Sequence, residues 1–158
     1  MKKTTIALVL FLFALTFSHG QTVLIRSNAS VGYISADDIN EWAVDYGIKL
    51  LLFANESQRF GILADHLLAT NNNNVSYLCT GLMLEQVLFK YFIMGIGTIG
   101  YINTMKKGEN PFGIYTHLGF KYNFSKYFGI LASYRCDFIF RNQFTMYNAF
   151  NLGLNLYF

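Results

Sequence analysis

The segment from Met146 to Phe158 alternates between two kinds of side chain with a period of two residues. One set of alternate residues is almost entirely large and apolar, and the other set is small or polar. The apolar set is Met146, Asn148, Phe150, Leu152, Leu154, Leu156 and Phe158. A helix would mix the two sets, whereas a strand separates them onto opposite faces. The segment is therefore predicted to be a β-strand with one apolar face.

The same alternation recurs along the chain in segments long enough to cross a bilayer as tilted strands, which takes about 9–11 residues. Eight strands are predicted, at 22–34, 42–54, 58–69, 76–88, 90–102, 112–123, 127–140 and 145–158. The first is the least regular, because Arg26, Ser27, Asn28 and Ser30 interrupt its apolar pattern. Closure of such a sheet satisfies every backbone group within lipid. The predicted fold class is all-β, an eight-stranded antiparallel up-and-down transmembrane β-barrel.

Nine charges in or beside these predicted strands fall on the face opposite the apolar one. They are Asp45, Lys49, Arg59, Asp65, Glu85, Lys121, Arg135, Asp137 and Arg141. A lipid-facing Arg or Lys near the bilayer midplane costs about 2–4 kcal/mol, so a barrel keeps such groups inside. Because an unpaired buried charge is unfavourable, we predict that these side chains form a polar network that fills the lumen. The interior of an eight-stranded barrel is just wide enough for side chains, which disfavours a conducting pore.

Composition agrees with a lipid-facing surface. Charged residues make up 13% of the 158 residues and apolar residues 53%, whereas soluble domains carry about 25% charged residues. The single proline and 13 glycines argue against a disordered chain. The formal net charge of +3 is small and scattered, which argues against nucleic-acid binding.

The N-terminus has the layout of a secretory signal peptide. Two lysines precede an apolar run, and the small residues Ser18 and Gly20 lie just before a predicted cut at Gln21. The run is shorter than the roughly 20 residues of a spanning helix, which disfavours an uncleaved anchor. We therefore predict a signal peptide at 1–20 and an outer-membrane barrel at 21–158, in the bacterial outer membrane.

The whole pattern resembles the small eight-stranded outer-membrane proteins of the OmpX and OmpA-barrel type. The resemblance covers most of the mature chain, and its most specific element is the alternating segment that ends at Phe158. In that family such an end looks like the signal for the barrel assembly machinery, which implies Leu154, Leu156 and Phe158 as recognition residues during insertion. We expect outer-membrane lipid and the assembly machinery as partners, a monomeric protein, no cofactor and no nucleic acid.

An enzyme is the main alternative to a structural or otherwise unassigned role. Some small barrels that this chain resembles modify lipid A as acyl hydrolases or acyltransferases, and acyl transfer needs a nucleophile beside a base. If residues 124–126 form a turn, His117 and Ser133 face each other inside the barrel and form the candidate catalytic pair. The His-x-Ser pattern of the deacylases is absent, because Gly119 follows His117 at that spacing. His66 lies on the predicted lipid face, where we expect neither a metal ligand nor a base.

Surface adhesion or binding through the outer loops is the third possibility. The longer polar connections are 36–41, 70–75 and 103–111. Polar outer loops are expected in any barrel of this kind, so they do not by themselves indicate a partner.

The two cysteines are predicted to lie on opposite faces of the sheet. Cys79 should face inward and Cys136 outward, on strands that are not neighbours, which rules against a disulfide. The sequence contains no metal-ligand spacing and no nucleotide-binding motif.

Overall fold

Eight strands follow one another along the chain and close into a barrel. The structure, a computed structural model, describes residues 23–36, 40–70, 76–104, 110–141 and 144–158. The strands are β1 Val23–Ser35, β2 Asn40–Phe53, β3 Gln58–Ala69, β4 Ser76–Leu88, β5 Phe92–Asn103, β6 Phe112–Asn123, β7 Phe128–Phe140 and β8 Phe144–Tyr157. Each strand pairs antiparallel with its neighbours in sequence, and β1 pairs with β8. The predicted fold class, an eight-stranded antiparallel up-and-down β-barrel, is confirmed.

The observed strand ends lie within two residues of the predicted ones. β5 begins at Phe92 rather than at residue 90 because Phe89 adopts a φ of 55° and the chain turns through Lys90 and Tyr91. A left-handed backbone is uncommon for a bulky residue, so the sequence gives no warning of this turn.

β1 is a regular strand despite its broken apolar pattern. Arg26, Asn28 and Ser30 alternate along it and are all buried, whereas Ser27 and Ala29 are exposed. Three of the four polar residues that interrupt the pattern therefore lie on its inner face, and only Ser27 lies on the outer face.

Closure of the barrel depends on the ladder between the first and last strands. The β1–β8 register runs from Leu24 opposite Tyr157 to Ser35 opposite Met146. Beyond it, Val23 N–H donates to the Phe158 carbonyl at 2.9 Å, and Phe158 N–H donates to the Val23 carbonyl at 2.8 Å. A sheet without edges is the only kind that can lie in lipid, because lipid offers no partners for backbone groups.

The two faces of the sheet differ in polarity. Along β8, Tyr147 and Ala149 are buried, while Phe150 and Leu152 are 74% and 71% exposed. The outer face carries large apolar side chains on every strand, an extent of exposed apolar surface that marks a contact with lipid or protein rather than water. Among the described residues, no helix is long and apolar enough to span a membrane.

The two ends of the barrel also differ. One end, here called the turn end, carries the connections 54–57, 89–91 and 124–127, together with Val23 and Phe158. The other, the loop end, carries the connections 36–39, 70–75, 104–111 and 141–143. Cys79 is buried inside the barrel and Cys136 is half-buried on the outer face, and both are free thiols.

Candidate functional site

The barrel encloses most of the charges that the sequence assigned to the lumen. Seven of them are at most 2% exposed: Asp45, Lys49, Arg59, Asp65, Glu85, Arg135 and Asp137. Lys121 is half-buried near the turn end of β6. Arg141 was predicted to lie in the lumen, but it is exposed at the loop end, because β7 ends one residue earlier at Phe140.

Most of the buried charges fall into two clusters at different heights. The turn-end cluster consists of Arg26, Arg59, Glu85, His117 and Asn155. The central cluster consists of Asp45, Asp65, Arg135 and Asp137, with Tyr101 and Tyr147 bonded to it. Each cluster joins strands from opposite sides of the barrel, so the clusters cross-link the interior.

Glu85 is the centre of the turn-end cluster. Its Oε2 accepts a hydrogen bond from Arg26 Nη1 at 2.7 Å, and its Oε1 accepts one from Arg59 Nη1 at 2.7 Å. Arg26 also donates from Nη2 to Glu85 at 3.2 Å and from Nε to Asn155 Oδ1 at 2.7 Å. Two guanidinium groups thus share one carboxylate, and removal of that carboxylate would leave both without a counterion.

The strand register explains how these three side chains meet. Arg59 and Glu85 lie directly opposite each other on β3 and β4. Arg26 comes from β1, three strands away around the barrel, and its long side chain crosses the interior to form the bidentate pair. The narrow bore of an eight-stranded barrel makes this crossing possible.

Arg135 is the centre of the central cluster. Its Nη2 lies 2.6 Å from Asp137 Oδ2, and its Nη1 lies 2.9 Å from Asp65 Oδ2 and 3.3 Å from Asp45 Oδ2. Tyr147 donates a further hydrogen bond to Asp45 Oδ2 at 2.6 Å. One guanidinium therefore faces three carboxylates. The buried hydroxyl groups of Tyr147 and Tyr101 donate hydrogen bonds to two of these carboxylates, those of Asp45 and Asp137.

Lys49 lies between the two clusters. The register places it opposite Leu63, so that Asp65 is its diagonal neighbour. Its Nζ donates to the Tyr115 hydroxyl at 2.7 Å, and the Arg135 guanidinium carbon lies 4.9 Å from the centre of the same ring. The fully buried Tyr115 ring thus contacts both cations.

Arg26 and three buried tyrosines are among the interior residues that the sequence analysis did not select. The tyrosines are Tyr101, Tyr115 and Tyr147, each at most 1% exposed. The sequence does contain a signal for all four, because each occupies one of the alternate positions whose side chains face the interior. Selection by ionisable character alone passes over a buried tyrosine, and the irregular pattern of β1 concealed Arg26.

The predicted pairing of His117 with Ser133 is wrong. Both side chains are buried, but the β6–β7 register places His117 opposite Arg135 and Ser133 opposite Gly119. The difference is two residues, because Asn123 pairs with Gly129, so that five residues separate the paired ends of β6 and β7 instead of the three, 124–126, that the prediction assumed. His117 Nε2 instead lies 3.3 Å from Glu85 Oε2, a contact without the geometry of a hydrogen bond.

Gly95 provides the space that His117 occupies. A Cβ at Gly95 would lie 2.2 Å from His117 Cε1 and 2.7 Å from its Nδ1. Gly95→Ala is therefore expected to displace the ring and to lower the free energy of unfolding by about 1–3 kcal/mol. Urea unfolding in lipid vesicles measures the change. Gly100→Ala is the matched control, because its nearest contact is the Thr80 carbonyl oxygen at 3.7 Å. Equal stabilities of the two variants would contradict the prediction.

Fold, polarity and register together define the chain as a small eight-stranded barrel of the outer-membrane type. Among solved structures, it is similar to neisserial surface protein A (NspA), with a TM-score of 0.65 at 12% identity over 85% of this chain and 96% of that one. It is also similar to the N-terminal β-barrel domain of Pseudomonas aeruginosa OprF, with a TM-score of 0.60 at 15% identity over 87% and 97%. Ail, the attachment invasion locus protein of Yersinia pestis, gives a TM-score of 0.52 at 12% identity over 87% and 98%.

These similarities show a shared fold, as the resemblance to small outer-membrane barrels predicted. The narrower OmpX-like grouping stays a prediction. No protein-family model matches the chain, and no curated protein matches it in sequence. Within the described ranges, no three His, Cys, Asp or Glu residues are grouped so as to hold a metal ion.

Proposed function

We propose that this chain is an integral protein of the bacterial outer membrane with a structural role and a lumen plugged by its own side chains. The separation of an apolar outer face from enclosed charges carries the proposal. Seven predicted lumen charges are buried, and a single Arg or Lys turned toward the bilayer midplane would cost about 2–4 kcal/mol.

Exposed aromatic residues near both ends support a position across a bilayer. Trp42, Phe112 and Phe140 lie near the loop end, and Tyr122 and Phe128 lie near the turn end. Aromatic girdles at the two interfaces are typical of outer-membrane barrels. In this orientation the turn end faces the periplasm and the loop end faces outside.

The two charged clusters support a plugged lumen. They span the interior with paired ions. A cavity at the loop end, beside Tyr101 and Ile139, has a volume of about 30 Å³, which is room for about two water molecules. Paired, hydrogen-bonded charges of this kind are costly to separate, so the plug is expected to stay in place.

Export and assembly remain part of the proposal. The predicted signal peptide at 1–20, with its cut before Gln21, lies outside the described residues. Leu154, Leu156 and Phe158 are exposed on the outer face, where an assembly machinery can contact them during insertion.

Three measurements test this proposal. Full-length protein expressed in a Gram-negative host should fractionate with the outer membrane and migrate faster on a gel unboiled than boiled. Reconstituted into planar bilayers, it should give no conductance steps above background. Extraction by carbonate would overturn membrane insertion, and regular conductance steps would overturn the plug.

The adhesion alternative concerns residues that are mostly undescribed, because 37–39, 71–75 and 105–109 lie outside the described ranges. It stays a prediction. Lipid modification through His117 and Ser133 loses the cross-strand pairing on which it depended.

A further inference from the structure

A chain of hydrogen-bonded side chains crosses the outer face of the barrel near the loop end. Tyr46 Oη lies 2.8 Å from His66 Nδ1, and His66 Nε2 lies 3.0 Å from Ser76 Oγ. Ser76 Oγ lies in turn 2.7 Å from Thr104 Oγ1. The chain runs over β2, β3, β4 and the residue after β5.

The strand register builds this arrangement. Tyr46 and His66 are direct cross-strand neighbours, and their rings meet edge to face at 5.4 Å. Ser76 is the diagonal neighbour of His66 on β4, because Leu68 lies opposite Ser76. The inward residues beside them, such as Asp65, belong to the separate central cluster. The chain is therefore a feature of the outer face and shares no residue with the lumen clusters.

The surroundings of these polar groups are apolar. Ile48 and Leu78, on either side of the chain, are 56% and 41% exposed on the same face. Other polar side chains on the outer face form hydrogen bonds that involve no histidine. Tyr134, for example, donates to Asn148 Oδ1 at 2.9 Å. Within the described strands, His66 is the one histidine that faces outward, and both of its ring nitrogens bond to hydroxyl groups.

A serine hydroxyl at 3.0 Å from an imidazole nitrogen, with the second nitrogen held by a third group, is the arrangement that activates a nucleophile for acyl transfer. With Nδ1 protonated toward Tyr46, Nε2 of His66 is free to accept the Ser76 proton. Ser76 is 2% exposed, whereas Thr104, which shares a hydrogen bond with it at 2.7 Å, is exposed. The Thr104 side is therefore the route by which a substrate carbonyl reaches Ser76, and the Thr104 hydroxyl itself donates to the Ser76 carbonyl at 3.2 Å.

The depth of these hydrogen-bonded side chains in the membrane indicates the substrate. Ser76 is the first residue of β4, and Trp42 is the third residue of β2, so both lie at the loop-end interface. His66 and Tyr46 lie further from the loops. Acyl esters of outer-leaflet lipids lie at this boundary between headgroup and hydrocarbon, which places an ester carbonyl beside the hydroxyl and an acyl chain against Ile48.

We propose that Ser76, His66 and Tyr46 form an acyl-ester hydrolase site on the outer face, acting on the ester-linked chains of outer-leaflet lipids. The inference rests on the membrane insertion proposed above. Ser76 and His66 are the catalytic residues, and Tyr46 is a positioning residue that orients the imidazole.

The reaction balances with water as the only co-reactant. Ser76 Oγ bonds to the ester carbonyl carbon while His66 Nε2 takes the hydroxyl proton. The ester C–O bond then breaks, and the departing alkoxide takes that proton from His66, which leaves an acyl-Ser76. Water attacks the acyl carbon, gives its proton to His66 and frees the fatty acid. The proton returns to Ser76, so one ester and one water give one acid and one alcohol.

The test uses full-length protein folded into vesicles of two compositions, lipid A with phosphatidylethanolamine or phosphatidylethanolamine alone. Mass spectrometry should show fatty acid release, and a fluorophosphonate probe should add its mass at Ser76. Release only in the first vesicles assigns lipid A as the ester source, and release in both assigns phospholipid as well.

The variants separate catalysis from folding. Ser76→Ala should abolish both release and labelling, and His66→Gln should lower both at least about 100-fold. Tyr46→Phe should lower release about 10-fold and move the acid limb of the pH–rate profile. Ser35→Ala is the matched control, because Ser35 lies at the same end and bonds to Asn40 rather than to a histidine.

The gel mobility shift of unboiled protein is recorded for every variant. Folded protein that neither labels at Ser76 nor exceeds Ser76→Ala in fatty acid release overturns the hydrolase and leaves the membrane barrel intact. Absence of the shift in the parent protein overturns the membrane barrel and the hydrolase with it.

Discussion

Glu85→Gln is expected to lower the free energy of unfolding by about 3–5 kcal/mol, because it leaves two buried guanidinium groups without a counterion. Arg26 and Arg59 each donate to Glu85 at 2.7 Å, and neither is more than 2% exposed. Glutamine keeps the shape and one acceptor oxygen, so the change isolates the charge. Urea titration of protein in lipid vesicles, read by tryptophan fluorescence and by gel mobility, gives the free energy.

Glu56→Gln is the matched control for this prediction. Glu56 lies exposed in the 54–57 turn, where the same substitution should change stability by less than about 0.5 kcal/mol. The double variant Arg26→Met with Glu85→Gln should lose less than the sum of its single changes, because the two residues are in direct contact. A Glu85→Gln variant as stable as the parent protein would show that the turn-end cluster is not a stabilising ion network.

Arg135→Met should be at least as destabilising, because one guanidinium serves three carboxylates. Without it, Asp45, Asp65 and Asp137 lie close together in a buried space, and the loss of one partner of a buried ion pair costs about 3–5 kcal/mol. We expect the variant to fail the gel mobility shift at neutral pH. The shift should return on adding Asp65→Asn and Asp137→Asn, which remove two of the three charges left unpaired.

Arg141→Met provides the comparison for Arg135→Met. Arg141 is exposed just beyond the same strand, where solvent screens its charge, so its replacement should leave the shift intact. Recovery of folding in the triple variant distinguishes a loss of charge pairing from a loss of packing. If the triple variant folds no better than Arg135→Met alone, packing rather than charge explains the loss, and the electrostatic account of the central cluster fails.

The period of two was sufficient to predict the fold because lipid and lumen impose opposite demands on successive residues. β3, β4 and β6 were predicted with both ends correct. The largest differences, two residues, lie at the start of β2 and at the start of β5, where Phe89 takes a left-handed backbone. A turn of that kind depends on how the flanking strands pair, which hydrophobic alternation does not encode.

The contacts within the barrel were less predictable than the faces. Cross-strand partners depend on the exact length of each turn, so two extra residues between the paired ends of β6 and β7 separated His117 from Ser133. Contacts across the bore, such as that of Arg26 with Glu85, depend on the closure of the whole sheet. On the outer face, no local pattern links His66 to Ser76, because their bond is diagonal across two strands.

The proposed membrane barrel requires alternate side chains of β8 to face lipid and interior in turn. Trp42 is the single tryptophan, so a Trp42→Phe background allows one tryptophan at a time to be placed at Phe150, Leu154, Tyr147 or Tyr157 in vesicles of brominated lipid. Bromine on the acyl chains should strongly quench tryptophan at Phe150 and Leu154, and quench it weakly at the inward-facing Tyr147 and Tyr157. Equal quenching at all four positions, or stronger quenching at Tyr147 than at Phe150, would contradict a barrel that turns its apolar face to lipid.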